Sequence, residues 1–169
     1  VMPDVRGRDP NHQAISAQID FGDIEAFRQV IPSLPGDHFA VVWLAEIWIQ
    51  NAGDYTFYTR SDDGSIFFID GVAIVDNGGV HPERLREGTV FLLEGLHPIR
   101  TDFFEKTGSS SVVLTYQGPD TDSVEVPLVA FANATASPPG FEIIPPTGHI
   151  PGYAACSTPI TVPMSKLEP

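Results

Sequence analysis

The sequence predicts an all-β protein: an antiparallel β-sandwich with an irregular N-terminal segment and a proline-rich C-terminal tail. Short runs of β-branched and aromatic residues succeed one another from Phe39 to about residue 130. Turn chemistry separates them, as in Asn51-Ala52-Gly53-Asp54, Asp70-Gly71 and Glu94-Gly95. Helical periodicity is nearly absent, so sheet packed on sheet has to bury the apolar residues.

Residues 1–37 read as an irregular segment packing on the domain, because Pro3, Pro10, Pro32 and Pro35 interrupt any long element. Within it, Ile24–Val30 leaves room for one short helix or strand. The sandwich body spans 38–131. Its first strand, 39–50, carries Val41, Trp43, Ala45, Ile47 and Ile49 on one face and Val42, Leu44, Glu46, Trp48 and Gln50 on the other. Both faces are partly apolar, which predicts an interior strand. A hairpin turn at 51–54 leads to a second strand at 55–60. Strands at 65–70 and 72–76 flank Asp70-Gly71, a pair suited to positive φ at both central turn positions. A loop holds Asp76-Asn77-Gly78-Gly79-Val80-His81-Pro82, and strands at 88–93 and 96–105 flank Glu94-Gly95. Strands at 111–117 and 124–130 close the body. Residues 132–169, with Pro138, Pro139, Pro145, Pro146, Pro151, Pro159, Pro163 and Pro169, read as an extended tail or linker. The whole chain is expected to be a single domain.

The 169 residues can bury a core without disulfides, and the single cysteine, Cys156, forms no intrachain bridge. Nine basic against 22 acidic side chains give a net charge of −13, which disfavours nucleic acid and anionic membrane surfaces as partners. No apolar run approaches the ~20 residues that span a bilayer, so membrane insertion is not expected. An acidic surface suits divalent cations and neutral ligands, and it also serves solubility.

The second strand ends in Ser61-Asp62-Asp63-Gly64-Ser65. Neighbouring strand residues point to opposite faces, so two adjacent carboxylates at a strand end suggest a turn of unusual geometry around a hard cation. Plain turn chemistry is the competing reading, since Asp and Gly are favoured turn residues. Asp76, Asn77 and His81 form a second polar group, a weaker candidate for a ligand rim. Such residues beside Gly78-Gly79 often satisfy their own backbone instead. The histidines are scattered, which disfavours zinc. Adjacent carboxylates fit glycoside hydrolysis poorly, and no nucleophile–base constellation or phosphate-binding glycine pattern accompanies them. The chain is therefore not expected to be an enzyme.

The pattern Gly53-Asp54-Tyr55-Thr56-Phe57-Tyr58, Ser61-Asp62-Asp63-Gly64-Ser65, Phe68-Ile69-Asp70-Gly71 and Val75-Asp76-Asn77, with His81, resembles the PA-14 module. That is the jelly-roll-type β-sandwich first recognised in anthrax protective antigen and shared with yeast flocculins, bacterial adhesins and glycosidase inserts. Gly95-Leu96-His97-Pro98-Ile99-Arg100 and Phe103-Phe104-Glu105 resemble its later strands, and Tyr116-Gln117-Gly118-Pro119-Asp120 its closing loop. The likeness runs over about residues 20–131. It implies that Asp62 and Asp63, joined by a cis peptide, hold Ca²⁺. It further implies that Gln117, Gly118 and Asp120 complete the shell and that sugar hydroxyls bind the ion directly.

The expectation is thus a Ca²⁺-dependent, lectin-like carbohydrate-binding module of an extracellular or cell-surface protein. Its partners would be glycans or glycoproteins, and it would be tethered to other domains. Some members of the family bind no sugar. The alternative is accordingly a structural or protein-interaction module of a larger surface or assembly protein, and a third option is a noncatalytic glycosidase insert. Asn133-Ala134-Thr135 fits the glycosylation acceptor pattern and adds weak support for secretion.

Overall fold

The computed structural model of the chain describes residues 11–132 and 153–163. In chain order these hold β1 (His12–Gln13), β2 (Asp20–Phe21), α1 (Ile24–Val30), β3 (Phe39–Ile49), β4 (Gly53–Asp62), β5 (Ser65–Ile69) and β6 (Val72–Asn77). They continue with β7 (Arg84–Leu92), β8 (Gly95–Glu105), β9 (Ser111–Gln117), a 3-10 turn (Pro119–Thr121), β10 (Val126–Pro127), β11 (Val129–Ala132) and β12 (Tyr153–Pro163). The strands form two sheets, as the alternating patterns require. The larger runs β1-β12-β3-β8-β5-β6, with β11 also on β12; the smaller runs β10-β9-β4-β7, with β2 on β9.

The inward residues of β4 are Tyr55, Phe57, Thr59 and Ser61, and those of β5 are Ser65, Phe67 and Ile69. β4 belongs to the smaller sheet and β5 to the larger, so the chain changes sheets over the few residues between them. Phe57 and Phe67 meet across the sandwich with ring centroids 4.7 Å apart. Burying such a ring stabilises by roughly 2–3 kcal/mol. The turn from β5 to β6 has φ of 51° at Asp70 and 79° at Gly71, the positive pair that the dipeptide predicts.

The segment Ile24–Val30 is a helix. Asp23 caps it by accepting a 2.9 Å bond from the Ala26 N–H, a favoured use of Asp at this position. Its Phe27 stacks on Phe21 at 4.5 Å and on Phe103 at 5.4 Å, which pins the N-terminal segment to the core. β3 is buried throughout Phe39–Trp43, as expected for an interior strand, with β8 on one side and β12 on the other.

Several elements differ from the sequence-based boundaries: β7 begins at Arg84 rather than at 88, and β1 and β2 fall within the segment expected to be irregular. The strand expected at 124–130 divides at Leu128, directly after Pro127, whose missing N–H cannot continue a ladder: β10 pairs with β9, and β11 crosses to lie parallel to β12. The tail supplies a strand too. β12 runs antiparallel to β3 from Ala154 opposite Ile47 to Pro163 opposite Phe39, with a register shift between Ser157 and Ile160, where Pro159 sits. The Asn133 acceptor pattern and the prolines at 138–151 lie outside the described residues, and so does Pro169. Among the described residues no helix is long and apolar enough to cross a membrane.

Candidate metal centre and adjoining cleft

The crossing from β4 to β5 forms a tight corner. Ser61 and Ser65 lie on its two sides with their hydroxyl oxygens 2.8 Å apart, and the peptide between Asp62 and Asp63 is cis, as the resemblance implied. Gly64 is the residue the corner needs. A Cβ there would stand 2.4 Å from the Phe104 ring and 2.8 Å from the Gly79 carbonyl oxygen. The Gly64 carbonyl accepts a 3.0 Å bond from the Phe104 N–H, which fastens the corner to β8.

The two aspartates have different surroundings. Asp63 is 2% exposed. Its Oδ1 accepts the His81 N–H and its Oδ2 the Lys106 N–H, both at 2.9 Å, so one carboxylate joins the β6–β7 and β8–β9 loops. Its own N–H donates to Glu105 Oε2 at 3.2 Å. Asp62 is half-buried and stands at the surface end of the corner. Burial, then the neighbouring Asp63 charge, raises its pKa above the usual carboxylate value.

Glu105 completes the group. It is fully buried at the end of β8, and its Oε1 has no hydrogen-bond partner among the described residues. Burial, reinforced by Asp63, pushes its pKa from 4.5 to about 7. One carboxylate oxygen each from Asp62, Asp63 and Glu105 fall within 4.8 Å of one another. Three carboxylates this close repel unless a proton or a cation joins them. An all-oxygen donor set suits a hard cation such as Ca²⁺, and the orphaned Oε1 is a donor atom in need of a partner.

The register corrects the other half of the expected shell. β4 and β9 are antiparallel, with Asp62 opposite Ser111 and Thr56 opposite Gln117. Six residues of strand, roughly 20 Å, therefore separate Gln117 from Asp62. Gly118 and Asp120 lie beyond Gln117, at the far end of the sandwich. There Asp120 accepts the Gln50 N–H at 2.7 Å, the Asn51 N–H at 2.8 Å and the Asn51 side-chain amide at 2.9 Å. A Cβ on Gly118 would lie 2.2 Å from the Tyr55 ring, so that loop is shaped by packing against the hairpin. Asp120 holds the β3–β4 turn, and Gln117, Gly118 and Asp120 do not reach Asp62 and Asp63.

The 76–81 loop does adjoin the corner, largely as its scaffold. Asp76 accepts the Gly78 N–H at 2.9 Å and so satisfies its own turn. Asn77 is fully buried: its amide faces the Thr59 carbonyl, Ser61 Oγ and the Arg84 carbonyl, and its Oδ1 accepts from Arg84 Nε at 2.7 Å. His81 contributes its backbone N–H to Asp63, while its ring nitrogens face the Asn77 and Pro82 carbonyls at 2.9 and 2.8 Å.

Asp62 opens onto a cleft of about 470 Å³, lined also by Asp23, Glu83 and the 108–111 loop. Sequence reasoning missed Glu105, Asp23 and Glu83 as site residues. The usable signal was strand direction. In an antiparallel pair the end of β4 meets the start of β9, which brings the residues just before Ser111 to the aspartates.

The model for the PA14 domain matches residues 10–130. The chain belongs to the PA14 domain family. Solved structures agree on the fold. This PA14 domain is similar to an anti-sigma factor domain-containing protein from Clostridium clariflavum, with 22% identity, a TM-score of 0.60, and 76% of this chain and 42% of that one covered. It is similar to the PA14 domain of the MpAFP antifreeze protein, with 17% identity, a TM-score of 0.59, and 69% of this chain and 70% of that one covered. A domain described as the PA14 sugar-binding domain of an RTX adhesin gives 17% identity, a TM-score of 0.57, and 68% and 73% coverage. The chain spans about two fifths of the length of the anti-sigma factor domain-containing proteins it matches, 42% of one and 39% of another. No curated protein matches the sequence.

Proposed function

We propose that this PA14 domain is a Ca²⁺-dependent carbohydrate-binding module of an extracellular or cell-surface protein. The observation that carries the reading is the convergence of Asp62, Asp63 and Glu105 within 4.8 Å at the edge of an open cleft. Asp62 is the ligand that faces solvent, and Glu105 Oε1 is the buried one without a partner among the described residues. Asp63 would bind the ion with lone pairs left over from its two backbone bonds while it holds the surrounding loops in place. When bound, the cation supplies positive charge and open coordination positions for sugar hydroxyls. The description of the RTX adhesin domain as sugar-binding supports the ligand class and a surface location. The partial coverage of longer matches supports tethering to other domains.

Binding fits these residues better than catalysis. A hydrolytic pair needs two carboxyl groups free to touch the substrate. Here Glu105 is fully buried and both Asp63 oxygens are engaged, so of the three clustered carboxylates only Asp62 faces the cleft.

A specific observation also favours the alternative, a structural or protein-interaction module. Asp63 joins two loops through backbone bonds that require no ion. Melting in millimolar calcium and in chelator, combined with glycan-array binding, separates the readings. The lectin reading expects a higher melting temperature with calcium and array binding that chelator and Asp62→Ala both abolish. Array binding retained in chelator overturns the mechanism, and calcium stabilisation without any glycan signal favours the alternative.

A further inference from the structure

The outer faces of the two sheets differ. On the larger sheet Ala40, Val42, Asp102 and Phe104 point away from the core and are nevertheless buried. On the smaller sheet no outward position of β4 or β7 is buried. An antiparallel sheet face turned to water ordinarily carries polar residues, yet β7 places Leu85 and Phe91 there, 46% and 61% exposed. Between them runs a polar row. Glu87 of β7, Tyr58 of β4 and Thr115 of β9 are register partners, and the Thr115 hydroxyl donates to Glu125 Oε1 at 2.6 Å. Tyr58 therefore has one carboxylate on each side. Burial, then the charges of Glu87 and Glu125, raises the pKa of its phenol, so both carboxylates act on the same side chain. Asp20 and Asp54 add negative charge to this face, and among the described residues Arg60 is the one base at the outward positions of its strands.

We infer that the outer face of the smaller sheet docks a basic segment of another protein, with an arginine of that segment laid on the Tyr58 ring between Glu87 and Glu125. This site is independent of the ion and sugar readings. A guanidinium is planar, stacks on aromatic faces and brings five donors and no acceptor, which suits a ring flanked by two acceptor-only carboxylates. Charge complementarity selects a basic partner. A second copy of this chain carries the same net charge of −13 and is repelled. Size selects a segment. The outward positions of β4 from Asp54 to Asp62 span ~27 Å, and the three strands β9, β4 and β7 span ~10 Å between their axes. That area falls well short of the ~800 Å² per partner of a standard interface between folded proteins. Leu85 and Phe91 stand two and four residues from Glu87 along β7. An extended segment has the same repeat, so apolar side chains two positions to one side of the arginine and four to the other meet them.

The test is fluorescence anisotropy of a dye-labelled heptapeptide titrated with the full chain at roughly 0.15 M salt, where diffuse attraction is screened. The peptide has arginine third, leucine first and seventh, and lysines and serines between. It is expected to bind saturably, and its counterpart with lysine third to bind about fivefold more weakly. Tyr58→Thr should cost the arginine peptide a similar factor, about fivefold. Threonine suits a strand, so the fold is kept, and the melting temperature checks this. Glu87→Gln and Glu125→Gln should each weaken binding about threefold. Glu25→Gln, which removes an exposed carboxylate from α1, should leave binding unchanged. Equal weakening by Glu25→Gln and Glu87→Gln overturns the site, because it shows diffuse attraction to an acidic chain. Tyr58→Thr binding like the natural chain overturns it, and so does a lack of saturable binding up to millimolar protein.

Discussion

The two ends of β4 solve similar problems with different outcomes. At the Gly53 end a single carboxylate, Asp120, receives three N–H groups from Gln50 and Asn51. At the other end Asp63 receives two N–H groups, but Asp62 and Glu105 crowd against it. One charge among several donors is a finished cap. Three charges in one corner, one of them with an orphaned oxygen, make a site that needs a proton or a cation. The donors around a carboxylate, more than its presence in a turn, distinguish a structural aspartate from a ligand.

That contrast can be broken most directly at its structural end. Asp120→Ala strands three donors and is expected to destabilise by about 3 kcal/mol or more in urea unfolding. Its calcium-induced stabilisation should be unchanged. A lost calcium response with an otherwise stable fold would mean the two ends are coupled, contrary to the roughly 20 Å implied by the strand register.

Asp63→Ala should do two things at once. Loss of the two carboxylate acceptors of backbone N–H groups is expected to cost about 2 kcal/mol without calcium, and the calcium response should disappear as well. Wild-type protein should gain about 2.7 kcal/mol at calcium 100-fold above its dissociation constant. Asp63→Ala melting like wild type in chelator would show that the two loop bonds contribute nothing.

The pH dependence sharpens the comparison further. The raised pKa of Glu105 means the folded chain holds its proton more tightly than the unfolded chain does. Its contribution to stability is full below about pH 4.5 and is lost as pH rises through about 7. Asp62 acts in the same direction. In chelator the melting temperature should therefore fall over that window. The calcium-induced increase should grow over the same window, because the ion takes the deprotonated carboxylates. Glu105→Gln should flatten both trends. A calcium response independent of pH would exclude Glu105 from the site.

The smallest expected effect belongs to Asp62→Asn. Without calcium it should leave stability unchanged or raise it by a few tenths of a kcal/mol, since it removes a like charge from a crowded corner. Equilibrium unfolding in chelator checks this. A loss comparable to that of Asp63→Ala would show that Asp62 is structural too.

Much of this was legible in the chain. Alternation in Tyr55–Ser61 and Ser65–Ile69, the Asp70-Gly71 turn and the two-faced apolar run at Phe39–Ile49 specify a sandwich through local rules of strand period and turn conformation. Asp62-Asp63-Gly64 stood out because no ordinary strand end needs two adjacent carboxylates. The strand in the tail was not legible: the many prolines obscured 153–163, whose pairing with β3 depends on an edge far away in sequence. Glu105 was hidden for a related reason, since a single charged residue ending Phe103-Phe104-Glu105 reads as a strand terminus reaching water.

The sequence by itself determined the sandwich, its turns and one half of the candidate site, all set by contacts within a few residues. Only the tertiary structure decided which loop completes that site. The antiparallel register of β9 on β4 turned the Gln117–Asp120 loop away and brought the residues before Ser111 in, while the pairing of β8 with β5 brought Glu105. Strand direction is a long-range property, and reversing one strand exchanges everything found at its two ends.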